Sequence, residues 1–535
     1  MSIRLTRRAF SAGSTIGLAA MAGGSAFAAA ASQSSDSPVA RTHSGPVRGV
    51  VENGIRVFKG IPYGGSTAGA NRFGPAQEPA PWKEPLDTFD YGAAAPQPKS
   101  PLSQDLTTSE DCLVLNVWTP ALDDGGKRPV MVWLHGGGFS TLSGSSPMYD
   151  GGALCRRGDV VVLTLNHRLN VFGFLHLEDI AGGQFAGAGN QGMLDIVHAL
   201  RWVRRNIRRF GGNPDNVTIF GESGGGRKVS TLMGMPAAKG LFHRAIIQSG
   251  PGLHLQPRDK ASEVARSFLD ELKIAPGAAA SLKEVPVEQM LVAHDRVEAG
   301  FDPQARARGR FEQRGFVPTV GVPALPAYAF DPVASELSAR VPLLIGSNRH
   351  ELALFTRGDA AIYEDKLTEA ELADRVAGMA GGAAARVLQT YASAYPGTTP
   401  AERWLLMLSD RTYRFDSITL AQRKAALGPA TWMYYFTWES ETDPKLRSHH
   451  ALEIPFAFDN VDQSPWAGTS AKARALALKM SSAWIAFARD GDPNTPVLPE
   501  WPEYDSTQRA TMVLDETCTV LKDPDAAVRL LWATV

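Results

Sequence analysis

The feature that most constrains this chain is a short apolar run that ends abruptly in glycine, serine and more glycine. Residues 217–226 read V-T-I-F-G-E-S-G-G-G, which is typical of a β-strand stopped by a sharp turn. Gly221 and Gly225 flank Ser223 at the two positions where a tight strand-to-helix turn leaves no room for a side chain. An amphipathic run follows. The pattern therefore predicts a strand, a turn and a helix that hold the Ser223 hydroxyl clear of the sheet.

The rest of the chain alternates strand-like runs with helical patterns. Several runs are apolar on both faces, which is typical of strands in a sheet that helices cover on both sides. From Ile196 to Phe210, apolar residues recur at steps of three and four, as on one face of a helix. We expect Asn190 to cap that helix and Gly211 to end it. The predicted strands are 113–118, 129–135, 160–166, 217–220, 245–248, 341–345 and 431–438.

This alternation predicts an α/β fold around a mostly parallel sheet. Two long stretches, 253–339 and 352–429, lack strong strand patterns and are rich in Ala, Glu, Leu and Arg. We expect them to be helical insertions over one edge of the sheet. No repeat or low-complexity linker separates a second domain, so a single domain over 39–535 is the simplest organisation.

The first thirty residues are typical of an export signal. T-R-R-A-F at residues 6–10 precedes a weakly apolar stretch, and A-F-A at 26–28 supplies a small-residue cleavage site. This order favours a cleaved twin-arginine signal at 1–30 over a disordered cytosolic tail. A polar, flexible lead-in is predicted at 31–38. We therefore expect a periplasmic or secreted protein.

Charge and cysteine content exclude several functional classes. The formal net charge is −1, which implies neither a nucleic-acid surface nor a strongly acidic tail. Cys112, Cys155 and Cys518 allow at most one disulfide and lack the spacing of a zinc site. After the signal, no apolar run approaches the ~18 residues of a membrane-spanning helix. We expect a mature protein without an integral membrane segment, a metal or a cofactor.

A serine hydroxyl near neutral pH needs a base to take its proton, most often a histidine. With this type of turn, an acid and then a histidine follow the serine along the chain. Glu351 is the first carboxylate after the run 341–345, at the sheet edge that would face the serine. Beyond it only His449 and His450 remain, followed by a strand-like run at 454–458. Spacing does not separate the two histidines, and ordinary surface roles are the alternative for all three residues.

A glycine-rich turn at His135 and residues 136–138 directly follows another apolar run. Successive glycines let backbone N–H groups approach a substrate oxygen closely, as in an oxyanion hole. A phosphate-binding loop is the competing use of such a turn. No Lys-Ser or Lys-Thr pair follows it, so that use is disfavoured.

With these segments in view, the chain resembles the type-B carboxylesterases of the α/β-hydrolase superfamily, the family that includes the cholinesterases. The matching segments span nearly the whole mature chain in the family's order. They are F-K-G-I-P-Y from Phe58, S-E-D-C-L-V-L-N-V from Ser109, P-V-M-V-W-L-H-G-G-G-F from Pro129, N-Q-G-M-L-D from Asn190, F-G-G-N-P-D-N-V-T-I-F-G-E-S-G-G from Phe210, F-H-R-A-I-I-Q-S-G from Phe242, G-S-N-R-H-E from Gly346 and H-A-L-E-I-P-F from His450.

The resemblance implies an α/β-hydrolase fold and assigns roles to three of the candidates. Ser223 falls at the family's nucleophile, Glu351 at its acid and His450 at its base. The choice between His449 and His450 is therefore made by the resemblance.

The resemblance also implies residues that support the triad. The N–H groups of Gly137, Gly138 and Gly224 fall at the oxyanion hole, and Glu222 at the acidic residue before the serine. Ser249 matches a position associated with hydrogen bonds around the triad, with a polar cap at the end of a strand as its alternative.

Two positions depart from the family's pattern. The family usually carries alanine where this chain has Gly224. Cys112 matches one cysteine of a loop disulfide, but the region of its partner reads A-A-P-Q at 94–97. That disulfide, and any inference of choline binding, is not expected here.

The implied activity is hydrolysis of a small-molecule carboxylic ester through an acyl-enzyme intermediate. A lipase or an amidase on the same fold is the nearer alternative. Some relatives are adhesion proteins without catalysis, but those generally lack the nucleophile or the base. The sequence carries no signal for an oligomeric state.

Overall fold

Strands from almost the whole chain assemble into one large sheet. The computed structural model describes residues 37–99, 103, 105–301, 315–428 and 430–535. The predicted signal at 1–30, and the predicted lead-in up to residue 36, lie outside the described residues. The described strands are β1 (Val39–Arg41), β2 (Pro46–Arg48), β3 (Val50–Glu52), β4 (Ile55–Pro62), β5 (Leu86–Asp87), β6 (Val114–Thr119), β7 (Arg128–Leu134), β8 (Val161–Leu165), β9 (Gly212–Glu222), β10 (Arg244–Gln248), β11 (Gln256–Pro257), β12 (Thr319–Val320), β13 (Leu343–Asn348), β14 (Thr431–Phe436), β15 (Ala510–Leu514) and β16 (Thr519–Lys522).

The large sheet is mostly parallel, as the sequence predicts. Its strand order is β16-β15-β14-β13-β10-β9-β7-β8-β6-β4-β3. The strands from β15 to β8 in this order run parallel, whereas β16 at one edge and β6, β4 and β3 at the other pair antiparallel. The carboxyl ends of β7, β9, β10 and β13 therefore meet at one edge, where ligands bind in open α/β sheets.

Helices connect the parallel strands and make up most of the predicted insertion 352–429, whereas in the predicted insertion 253–339 the described α-helices lie between residues 258 and 299 and two short strands lie at 256–257 and 319–320. Short 3-10 turns join the helices in several places. The described α-helices are α1 (Gly152–Gly158), α2 (Asn170–Phe174), α3 (Glu178–Ala181), α4 (Gln191–Asn206), α5 (Gly224–Leu232), α6 (Arg258–Glu271), α7 (Val287–Ala299), α8 (Ala360–Tyr363), α9 (Glu369–Ala380), α10 (Ala384–Ala394), α11 (Pro400–Ser409), α12 (Phe415–Leu427), α13 (Ile454–Ala457), α14 (Ala471–Asp490) and α15 (Ala526–Trp532).

Both faces of the sheet are buried, which explains why its strands are apolar throughout. Along β7, Val132 belongs to an apolar cluster that includes α4, whereas its neighbour Trp133 belongs to a second cluster that includes α14. Successive side chains of a strand point to opposite faces, so the two clusters lie on opposite sides of the sheet. The expected cover of helices on both faces is confirmed.

Two local predictions differ from the structure. Asn190 does precede α4, but its side chain does not cap that helix; it exchanges two hydrogen bonds with the backbone of Thr319. The run at 454–458 was predicted to be strand-like and instead forms the short helix α13. Its apolar residues are buried in either geometry, and a run of five does not distinguish a strand from a buried helical turn.

The three cysteines carry free thiols and are buried. Among the helices that the structure describes, none combines the length and the apolar character needed to cross a membrane.

Candidate active site

Ser223 lies in a strained turn between β9 and α5. Its φ and ψ angles are 56° and −121°, a region that residues with a side chain rarely adopt. A Cβ atom at Gly225 would lie 1.9 Å from the carbonyl oxygen of Leu134, and one at Gly221 would lie 2.6 Å from the same oxygen. Both flanking glycines are therefore required by the close approach of β7 to the turn. The predicted strand, turn and helix are present around Ser223.

Glu351 and His450 form a buried pair at the carboxyl end of β13. The Nδ1 atom of His450 lies 2.6 Å from Oε2 of Glu351, and both side chains are almost fully buried. The other carboxylate oxygen of Glu351 accepts a hydrogen bond from the N–H of Asn348 at 2.8 Å. These bonds fix the orientation of the imidazole, with Nδ1–H as the donor to Glu351.

His449 lies apart from this pair. Its Nδ1 atom faces the carbonyl oxygen of His450 at 2.6 Å, and its ring packs edge-on against Trp466 at 5.1 Å. Burial lowers the pKa of His449 to about 4, so its ring is neutral at ordinary pH. Of the two histidines that spacing left open, the structure places His450 against Glu351.

Glu222 is a second carboxyl group that contacts the same imidazole. Its Oε1 atom lies 3.1 Å from Nε2 of His450. Burial by itself lowers the pKa of His450, but the charges of Glu222 and Glu351 more than offset this and raise it to about 9. Burial raises the pKa of Glu222 to about 8 in spite of the nearby imidazole. The two groups are coupled and titrate as a pair.

Glu453 adds a third buried carboxyl group to this region. It accepts hydrogen bonds from the side chains of Asn348 at 2.7 Å and Gln248 at 3.3 Å. Burial, and then the charge of Glu351, raise the pKa of Glu453 to about 7. The sequence offered no motif for a role of Glu453.

Tyr413 contacts both the serine and the histidine, and sequence reasoning missed it. Its hydroxyl lies close enough to the side chain of Ser223 for the two to interact, and its ring centroid lies 4.8 Å from that of His450. Tyr413 belongs to a π-helical turn, Asp410–Arg414, between α11 and α12. Such turns are frequent at functional sites, but no sequence pattern marks this one. In the described part of the chain, Nε2 of His450 makes no hydrogen bond to Ser223 and instead faces Oε1 of Glu222 at 3.1 Å.

The glycine loop, residues 135–139, lies against the serine turn. Gly137 and Gly138 have φ angles of 77° and 62°, which favour glycine. A Cβ atom at Gly136 would lie 3.6 Å from Cβ of Ser223, and one at Gly224 would lie 2.1 Å from the carbonyl oxygen of Gly138. The structure thus brings the three predicted oxyanion glycines together next to Ser223.

Ser249 directly follows β10, beside the serine turn, where the N–H of Ser223 donates to the carbonyl oxygen of Gln248 at 2.9 Å. The N–H of Ser249 donates to the carbonyl oxygen of Gly346 at 2.9 Å. Its hydroxyl is buried and has no hydrogen-bond partner among the described residues.

Known proteins resemble this chain over nearly its full length. The profile of the carboxylesterase family matches residues 36–529. The para-nitrobenzyl esterase of Bacillus subtilis is 36% identical over 499 residues, which cover 92% of this chain and 97% of that protein. The phenmedipham hydrolase of Pseudarthrobacter oxydans is 32% identical, with 91% of this chain and 97% of that protein covered.

A solved structure shares the architecture. The carboxylesterase EST55 of Geobacillus stearothermophilus superimposes with a TM-score of 0.80 at 38% sequence identity, and the match covers 92% of this chain and 99% of that one. The fold is therefore that of the α/β hydrolases. Because the family profile matches residues 36–529 and these relatives cover more than nine-tenths of the chain, the chain belongs to the carboxylesterase family of ester hydrolases.

Proposed function

We propose that the protein hydrolyses small carboxylic esters through an acyl-enzyme formed on Ser223, with His450 as the base and Glu351 as the residue that orients it. The observation that carries this proposal is the buried contact between Glu351 and His450 beside a strained serine turn. An imidazole fixed by a carboxylate next to a serine is the arrangement that activates serine nucleophiles.

Acylation begins when the Ser223 hydroxyl turns to Nε2 of His450. The Oγ atom attacks the ester carbonyl carbon while its proton passes to the imidazole, and the carbonyl oxygen takes the negative charge. Collapse of this tetrahedral species breaks the bond to the alcohol oxygen, which receives the proton from His450. Water then attacks the acyl-enzyme by the same steps, which releases the acid and restores Ser223.

The glycine loop supplies the stabilisation of negative charge in both steps. The N–H groups of Gly137, Gly138 and Gly224 are the proposed donors to the oxyanion, which they would bind more strongly than the uncharged ester oxygen. This difference between transition state and ground state is what accelerates the reaction.

Ser223→Ala tests the proposal directly. With p-nitrophenyl acetate as substrate, we expect kcat to fall by a factor on the order of 10⁴ or more, because the triad acts as a unit. A fluorophosphonate probe should label the wild-type protein at Ser223 and leave the variant unlabelled. Ser249→Ala is the matched control, since it removes a buried hydroxyl at the neighbouring strand end. Full activity or labelling of Ser223→Ala would overturn the assignment.

The relatives direct the choice of substrates. Their names record action on a para-nitrobenzyl ester and on phenmedipham. In this chain the ring of Phe355 lies 5.1 Å from that of His450 and is 57% exposed, which supplies an apolar surface beside the base. A panel of esters and one matched anilide, varied in acyl and alcohol size, distinguishes an esterase from a lipase or an amidase by kcat/KM.

The route of export is a separate proposal. The twin arginines at positions 7 and 8 and the A-F-A site at 26–28 support transport of the folded protein and cleavage after the signal. Changing both arginines to lysine should retain the protein with its signal uncleaved in the cytoplasm of a twin-arginine-competent host. Export that is unchanged in this variant would exclude the twin-arginine route.

A further inference from the structure

Lys228 is a fully buried cation one helical turn beyond the nucleophile. It lies on α5, and its side chain is 0% exposed. Its Nζ atom donates one hydrogen bond, at 2.8 Å, to the carbonyl oxygen of His135. Among the described residues, no carboxylate forms an ion pair with it. Burial of an ammonium group with one neutral partner is costly, so its position calls for a physical account.

Lys228 contacts the glycine loop at both ends. The carbonyl oxygen of His135 begins the loop, and the ring of Phe139, which ends it, has its centroid 5.8 Å from Nζ. The three glycines lie between these two contacts. Because α5 also carries Ser223 at its N-terminus, one side chain connects the glycine loop to the helix that follows the nucleophile.

Three described basic residues near the loop, His135, His167 and Arg168, differ from Lys228 in charge or in pairing. His135 and His167 stack with their centroids 5.1 Å apart. Burial, and then the charge of Lys228, lower the pKa of His135 well below its usual value, and the same two causes act on His167. Arg168 is paired with Asp195. Burial lowers the pKa of Lys228 itself to about 7, so the group still carries a proton in part of the molecules near neutral pH.

We propose that Lys228 is a positioning residue for the oxyanion hole. It holds the glycine loop against α5, so that the N–H groups of Gly137 and Gly138 converge with that of Gly224 on one substrate oxygen. This inference rests on the proposed esterase function. It adds a residue that touches neither the substrate nor the triad and acts through the carbonyl group of His135.

Gly224 also contributes to the contact between the glycine loop and α5. The backbone of Gly138 occupies the space in which a side chain at position 224 would lie, with its nitrogen and Cα both 2.5 Å from the Cβ position. The glycine therefore permits the close approach that Lys228 maintains. This accounts for the departure from alanine at position 224: in this chain an alanine would push the loop away from the helix.

The test compares Lys228→Met with the wild-type protein. We expect kcat for p-nitrophenyl acetate to fall about 10- to 100-fold with KM nearly unchanged, because a displaced donor weakens the transition state more than the bound ester. The inhibition constant of a trifluoromethyl ketone, whose adduct with Ser223 carries an oxyanion, should rise by a similar factor. The melting temperature should stay equal or increase, since an apolar side chain replaces a poorly paired buried cation.

Lys424→Met is the matched control. Lys424 is also a fully buried lysine on a helix, α12. It donates to a backbone carbonyl oxygen, that of Ala339, at 3.5 Å, and burial lowers its pKa as well. It has no contact with the glycine loop. We expect this variant to respond in melting temperature as Lys228→Met does and to retain the wild-type kcat and inhibition constant.

Gly224→Ala changes the contact between the glycine loop and α5 on the side of the helix. This variant replaces Lys228→Met in the test if Lys228→Met does not fold. Gly224→Ala should lower kcat and raise the inhibition constant of the trifluoromethyl ketone, as Lys228→Met does. In the double variant the two losses should be less than multiplicative, because both act on one contact. The inference is overturned if Lys228→Met has the same kcat and the same inhibition constant as Lys424→Met. If Lys228→Met does not fold, the same comparison is made between Gly224→Ala and Lys424→Met. A wild-type protein that hydrolyses no ester would instead refute the proposed function.

Discussion

Two buried clusters of charge in this molecule are built on opposite principles. At Arg168 one guanidinium meets one carboxylate, that of Asp195. At His450 a single imidazole lies among the carboxyl groups of Glu222, Glu351 and Glu453. Both clusters are almost fully buried, so the difference lies in how well the charges are matched.

The matched cluster satisfies each of its charges with good geometry. Asp195 accepts from Nε and Nη2 of Arg168 at 2.8 and 2.6 Å and from its backbone N–H at 3.0 Å. In the unmatched cluster, Nε2 of His450 and Oε1 of Glu222 face each other at 3.1 Å, and neither atom makes a hydrogen bond to any other described residue. In the matched pair both groups keep their charges, which stabilises the fold. In the unmatched cluster a proton can transfer between the imidazole and the carboxyl groups.

The largest expected effect is on the unmatched cluster. His450→Ala should lower kcat for p-nitrophenyl acetate by a factor on the order of 10⁴, because the serine then has no base. His449→Asn is the control, because the ring of His449 packs against Trp466 and not against Glu351. We expect this variant to lower kcat by no more than about tenfold, through small shifts of His450. Equal losses in the two variants would remove the distinction between the histidines.

The next effect is on the matched cluster and on stability. Asp195→Ala should lower the free energy of unfolding by about 3 to 5 kcal/mol, since it leaves the buried charge of Arg168 without a charged partner. Asp462→Ala is the control, because Arg474 donates to both of its carboxylate oxygens at 2.6 Å but the side chains are 53% and 52% exposed. There we expect less than about 1 kcal/mol. Denaturant unfolding measures both, and equal losses would show that burial is not the cause.

A smaller effect is expected on the pH dependence of catalysis. His450 must be neutral to accept a proton, and the nearby carboxylates raise its pKa above the usual value, so kcat/KM should increase with pH through that raised pKa. Glu222→Gln removes one of the charges that favour the imidazolium. The pKa of His450 then falls, and the rising limb should move to lower pH by about one unit, equivalent to ~1.4 kcal/mol. If kcat/KM of Glu222→Gln rises at the same pH as in the wild-type protein, or at a higher pH, then Glu222 does not stabilise the imidazolium form of His450.

The smallest effect is expected at Ser249. Its hydroxyl is buried without a hydrogen-bond partner in the described residues. Ser249→Ala should change kcat by less than about threefold and the free energy of unfolding by less than about 1 kcal/mol. A large loss of activity with normal stability would place Ser249 in the hydrogen-bonding surroundings of the triad.

What the sequence predicted well was local. The turn at Ser223 follows from two glycines whose Cβ atoms would collide with β7, and the buried strands follow from runs that are apolar on both faces. The candidates at the ends of strands, such as Glu351, follow from the rule that parallel strands present their carboxyl ends at one edge.

What it missed depends on contacts between distant segments. Tyr413 reaches Ser223 through a π-helical turn, which arises from packing and has no sequence signature. Asn190 bonds to Thr319, more than a hundred residues away, and not to its own helix. The pairing of His450 with Glu351, where spacing left His449 open, also rests on the relative placement of two loops. Lys228 looks in the sequence like an ordinary helical surface lysine.

The three buried thiols have a practical consequence for handling the protein. Burial raises the pKa of Cys112, Cys155 and Cys518, and only the thiolate form reacts readily with maleimides or disulfides. Reducing agents in a purification buffer therefore have no native disulfide to open. A single cysteine introduced on the surface would be the reactive one, which gives a defined point for attaching a fluorophore or a solid support without first removing the native cysteines.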